Sequence, residues 1–424
     1  MKHDRRGWTV LLAALACAGC DAPSSDLALG ARYVDDDAFR RERLEASLVD
    51  SDNGYSTLRL ERYGYVWSLL DAWNPEVRPL TEDDIGAFVS DPTRPSDDPS
   101  GFAALDVEGV PWTRPALLEL GRRAFERYPV QLADAIGWGT RDRDAVDRYG
   151  LSIDDRGQVG GLVRVRLADG TEQFAVTCAS CHARPDASGH LVHGASASGF
   201  DWGRTAYERA LERGASEPDV AYLADWGPGQ VDVTPDDQHN AAAMTDLRQT
   251  SRNRYLHWAG TIDNELIALA IRLETLLITS TQETVRPPRE VSFALAFYVW
   301  SMGEGGRPAR PADDAAGAEL FVVHCAGCHG ADGTTPRPRV RIAEVGTDPR
   351  VGESSTRGTG FYRTPSLWRV AERDQLLHDG SVSSLEELLD PSRVDRVTGH
   401  AYGFELEDTE RAALLAYVRA IGAP

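Results

Sequence analysis

Two pentapeptides, Cys178-Ala179-Ser180-Cys181-His182 and Cys325-Ala326-Gly327-Cys328-His329, combine residue types and spacing suited to one chemistry. In Cys-X-X-Cys-His the two thiols add across the vinyl groups of a haem, and the adjoining histidine comes under the iron as proximal ligand. Two covalently bound c-type haems are therefore expected, on Cys178 and Cys181 and on Cys325 and Cys328, with His182 and His329 as metal ligands. The alternative, a zinc knuckle, needs a second Cys/His pair nearby.

The opposite side of each iron decides what such a protein does. A cytochrome that only moves electrons commonly closes the iron with His/Met or His/His, whereas a reactive haem keeps one side open. No methionine follows His329, so the second haem must look to His378, in Leu377-His378-Asp379-Gly380, or to His400, in Gly399-His400-Ala401-Tyr402-Gly403. The first has His190, His193, Met244 and His257 within range. Met302 is set aside, because the repeat described below pairs it with Ile421, an ordinary core position. His193, His257 and Trp258 are the expected lining of a distal pocket, with Trp258 also a candidate electron relay.

These residues need a frame, and an internal duplication supplies it. Ala294-Leu295-Ala296-Phe297-Tyr298-Val299 through Gly303 matches Ala413-Leu414-Leu415-Ala416-Tyr417-Val418 through Gly422, and Gly121 to Phe125 parallels Gly317 to Phe321. Opening helix, haem motif and closing helix in that order predict a mainly α fold of two tandem cytochrome c-like domains, 111–303 and 313–424, joined by a Gly/Pro linker at 304–312. The first carries a long insert before its motif. Alternation in Leu162 to Leu167 and Thr171 to Val176 around Ala168-Asp169-Gly170 predicts a small β-hairpin there. Residues 21–110 read as a helical N-terminal extension, with a helical patch at Tyr65 to Trp73 and a loop from Ser90 to Gly101.

Cysteine usage and charge bound the setting. Four of the six cysteines lie in the motifs; the other two, Cys17 and Cys20, close an N-terminal segment with a basic start and a short apolar run. Residues 1–20 resemble a bacterial lipoprotein signal with Cys20 as the lipidated residue, which predicts export to the periplasm or cell envelope and a membrane contact through lipid. The formal net charge of −21 argues against nucleic acid as a partner and suits a small basic or dipolar electron carrier.

Gly360-Phe361-Tyr362-Arg363-Thr364-Pro365-Ser366-Leu367-Trp368-Arg369-Val370, followed by Leu377-His378-Asp379-Gly380-Ser381, resembles the segment after the second haem in di-haem cytochrome c peroxidases and their relatives. With Gly399-His400-Ala401-Tyr402-Gly403 it is most similar to the branch that holds the di-haem rubber oxygenases. The resemblance spans roughly residues 114–424. It implies a reactive N-terminal haem on His182 and a six-coordinate relay haem on His329, with His400 in the loop that supplies a methionine in the peroxidases. It also marks a departure. A histidine in place of methionine lowers the potential of the second haem, and the peroxidases' distal Gln and Glu have no clear counterpart here, Glu265 and Glu274 being only nearby carboxylates. Two function classes follow: an envelope oxidoreductase that activates peroxide or dioxygen at the first haem, or a di-haem electron carrier with both irons closed.

Overall fold

The computed structural model describes residues 25–88, 100–232, 239–304, 315–334 and 339–423. The signal segment with Cys17 and Cys20, most of the 304–312 linker and most of the Ser90–Gly101 loop lie outside them. The fold is mainly helical with some sheet. Among the described residues no helix is long and apolar enough to cross a membrane.

The first half is framed by Arg114–Arg127 and Arg289–Ser301. Pro115 starts the opening helix, where its missing N–H costs nothing. Leu117, Leu120, Gly121, Ala124 and Phe125 then fall on one face and are buried. Gly121 lets the two helices touch: a Cβ there would lie 2.1 Å from the Ala294 carbonyl oxygen and 2.6 Å from Tyr298 Cβ. In the second half Ala315–His324 packs on Asp408–Arg419, with Phe321 against Tyr417 at 5.2 Å between ring centres. A capping box from Glu407 and Glu410 starts that closing helix.

The hairpin is present, as strands Gln158–Arg166 and Glu172–Val176, with Leu162 opposite Val176 and Arg166 opposite Glu172. Asp169 accepts from the Thr171 N–H and hydroxyl at the turn, where Gly170 takes a φ of 82°. The sheet is larger than a hairpin. Glu76–Thr81 pairs with Gln158–Arg166, and Gln131–Leu132 pairs with Glu172–Val176. The extension is thus not purely helical, and the Tyr65–Trp73 patch is corrected: the helix Gly54–Tyr65 ends there, followed by a single turn at Trp67–Leu69. Its other helices, Ser25–Asp35 and Asp37–Ser47, cover Leu266–Ser280 and Arg289–Ser301. Tyr33 and Tyr63 donate to Glu274 Oε2 at 2.7 and 2.9 Å, which accounts for a carboxylate buried completely in an apolar helix.

A second repeat lies deeper than the helices. Residues 245–264 and 365–384 trace the same path, 120 positions apart. The turns Thr250–Arg252 and Val370–Glu372 correspond. The pairings Leu256 with Ile262 and Leu376 with Val382 correspond as well. Two pairs of left-handed residues do too, His257 (φ 60°) with Leu377 (64°) and Gly260 (63°) with Gly380 (66°), whereas Arg369 (54°) has Gln249 (−104°) as its counterpart. The two blocks also grip each other reciprocally. Arg363 N–H donates to the Trp258 carbonyl at 2.8 Å, and Ala243 N–H, the equivalent of Arg363, donates to the His378 carbonyl at 2.9 Å. Such mutual contacts are those of a local two-fold axis.

Candidate functional site

The first motif forms the short helix Cys178–His182, begun by Thr177. Thr177 and Ser180 hydroxyls donate to the Gly161 carbonyl of the hairpin at 2.8 and 2.9 Å, so the insert holds this motif in place. His182 Nδ1–H donates to the Thr245 carbonyl at 2.8 Å. In the second motif His329 Nδ1–H donates to the Pro365 carbonyl at 3.0 Å, and Pro365 is the 120-residue equivalent of Thr245. Each bond leaves Nε2 with its lone pair free, the tautomer a metal requires.

In the second half a further ring completes the arrangement. His400 faces His329 with ring centres 6.4 Å apart and planes at 63°. One iron with imidazole bonds of about 2 Å on either side sets two facing ring centres roughly 6 Å apart. Burial pushes His329 down to about 3, with His400 adding to the effect, and pushes His400 down to about 4, with Arg393 adding. Both rings are therefore neutral, as ligation demands. His400 Nδ1 is buried without a protein partner.

The loop that carries His400 is tightly held. Buried Arg393 donates to the carbonyls of Leu388, Val397, Gly399 and His400 at 2.9 to 3.1 Å. His400 has a φ of 47°, and its N–H donates to the Val345 carbonyl at 2.6 Å. Gly399 lies flat on the backbone of Gly346 and Thr347, where a Cβ would come within 2.3 Å. His378, the other candidate, stacks on Tyr362 at 4.2 Å with its Nε2 3.2 Å from that hydroxyl. The structure brings His400 to His329 and leaves His378 to Tyr362.

Cys325, Cys328, His329 and His400 line a cavity of about 470 Å³ that reaches Thr245 and Trp258 of the first half. Its size, its apolar wall of Leu367, Leu385 and Leu414 and its two facing histidines fit a haem. Burial pushes the thiols of Cys178, Cys181 and Cys325 up to about 12.

Around the first motif the expected lining is rearranged. His193 is set between the Tyr298 hydroxyl, 2.7 Å from Nδ1, and Glu126, 3.3 Å from Nε2, and stacks on Phe125. His257 donates from Nδ1 to Thr261 Oγ1 and accepts at Nε2 from Arg272 Nε–H, both at 2.6 Å. Neither has a nitrogen left for iron or oxidant, which revises their expected role in a distal pocket. His190 is exposed beside Asp155. Met244 is buried next to Thr245 and lines the cavity of the second motif, and Met302 packs against the core of the first half. Among the described residues no histidine faces His182 as His400 faces His329. Trp258 accepts from the Arg363 N–H at its carbonyl and lines the cavity of the second motif.

Residues 315–422 match the family model for cytochrome c. No curated protein and no solved structure matches the chain. The matched span contains Cys325 to His329 and His400 and runs from the opening to the closing helix of the second half. The chain therefore carries a c-type cytochrome domain, with covalently bound c-type haem and electron transfer as its function class.

Proposed function

We propose that the protein is a di-haem c-type cytochrome of the bacterial cell envelope, an oxidoreductase that activates peroxide or dioxygen at His182, with the His329 site as electron relay. The observation that carries this reading is the 120-residue repeat. It gives both motif histidines the same carbonyl partner, Thr245 or Pro365, in two blocks with the same backbone path. Among the described residues a facing histidine is present in one half only. Haem supplies one-electron exchange and, where an iron keeps a free side, activation of small oxidants.

The chain's own residues divide the work accordingly. The Thr245 and Pro365 carbonyls hold the imidazoles in one tautomer and raise their basicity. His400 closes the second site and Arg393 keeps it there. Trp258, which lines the cavity of the second site, would serve as the relay for an electron. Val322 and Val323, 60% and 75% exposed, sit beside Cys325 and offer a small electron carrier an apolar landing at the edge of the second site. Lipid on Cys20 would keep the globular part close to a bilayer. The carrier reading is favoured by one observation, that neither His193 nor His257 is free to act as acid or base.

Paramagnetic resonance and stopped-flow mixing separate the two readings. The oxidised protein is expected to show one high-spin and one low-spin ferric signal, and the half-reduced protein to change its spectrum with peroxide or dioxygen. Two low-spin signals and no response to either oxidant would make the protein an electron carrier.

A further inference from the structure

The extension helix Gly54–Tyr65, the helix Leu266–Ser280 and the loop around Ser354–Gly358 meet at a group of cations that form no ion pair among the described residues. Arg59 is 1% exposed, and its Nε, Nη1 and Nη2 are all buried without a hydrogen-bond partner. Its guanidinium lies 5.5 Å from the Tyr55 ring centre, and that of Arg357 lies 4.8 Å from the same ring. His257 meets Tyr55 edge-on at 5.3 Å and accepts from Arg272 on its other side. Two guanidinium groups thus lie against one tyrosine and a third acts on its charge from beyond His257, and the tyrosine hydroxyl is also buried and unpartnered.

Among the described residues none of these three arginines forms an ion pair, although Asp232 is close enough to Arg357 to act on its charge. Burial together with Arg272 lowers the Arg59 pKa, and burial pushes Arg357 down to about 10. Folded proteins rarely keep buried charged donors unpaired, because desolvation is then repaid by nothing. Guanidinium forks are shaped for planar or tetrahedral oxyanions.

We propose that Arg59, Arg272, Arg357 and the Tyr55 hydroxyl line a buried site for an anionic oxygen group, a carboxylate or a small oxyanion. His257 is a positioning residue in it: its Nδ1–H is spent on Thr261, so its Nε2 accepts from Arg272 and aims that side chain. The anion has two possible sources, a propionate of a bound haem or a free anion from solution. Only the propionate source rests on the proposed function.

The test uses full-length, haem-loaded protein, with acetate and inorganic phosphate as probes and with Arg59→Met and Arg357→Gln as variants. A free-anion site gives a saturable rise in melting temperature in the wild type, with the half-saturating concentration raised at least tenfold in the variants. A propionate site gives no such rise, but the midpoint potential of one haem falls in both variants, since a cation beside it is lost. Should neither probe stabilise the wild type and should both potentials stay unchanged in Arg357→Gln, the proposal is overturned. That outcome is readable even if Arg59→Met does not fold.

Discussion

Replacing Arg393 with methionine isolates what holds His400 over His329. The guanidinium makes four charge-assisted hydrogen bonds, to the carbonyls of Leu388, Val397, Gly399 and His400, and is 1% exposed. Each such bond contributes roughly 1.5–3 kcal/mol. Methionine keeps much of the packing volume and removes all four. Part of the loss is recovered when the freed carbonyls turn to water, so a net weakening of the closed loop by about 3 kcal/mol is a conservative figure. That corresponds to roughly a hundredfold shift toward a released His400. With His400 as a ligand of the reduced iron, carbon monoxide would compete with it, so its apparent affinity should rise by up to about that factor. Titration of the reduced protein with carbon monoxide, followed in the Soret band, reads this directly. Arg393→Lys should recover only part of the closure, since one ammonium cannot reach four carbonyls in a fixed plane. If Arg393→Met binds carbon monoxide no better than wild type while His378→Ala does, the ligand assignment fails.

Three further outcomes follow from particular contacts. Cys178→Ala combined with Cys181→Ala should leave one haem, seen by denaturing mass spectrometry as the loss of one of two haem increments; an unchanged mass would remove the first haem site. Gly121→Ala puts a methyl group 2.1 Å from the Ala294 carbonyl oxygen, and the forced separation of the opening and closing helices should cost about 1–3 kcal/mol, measured as a fall in denaturation midpoint. Cys20→Ser should move the protein from the membrane to the soluble envelope fraction, and unchanged partitioning would exclude the lipid anchor.

What could be read in advance was local. The two Cys-X-X-Cys-His motifs declare themselves because attachment chemistry sets their spacing within five residues. Helices with a one-sided apolar stripe and a hairpin around Asp169-Gly170 are likewise decided by neighbours in sequence. His400 and His378 both lie in glycine-containing segments, and the sequence favoured His400 through its place in the loop before the closing helix. What separates them is the Arg393 grip and the backbone contact of Gly399 on Gly346, both tertiary. The repeat of 245–264 in 365–384 was hidden for a related reason: it preserves turns and pairings with few identical residues, so that His257 corresponds to Leu377 and Trp258 to His378. The engagement of His193 by Glu126 and Tyr298, the strand Glu76–Thr81 in the insert's sheet and the arginines gathered from positions 59, 272 and 357 all join segments far apart in the chain. By itself the sequence determined where the two haem-attachment motifs lie and which helices frame them. Which ligand closes an iron, which histidines are already taken and where buried charge collects were decided only by folding, because those contacts exist only once distant segments are packed together.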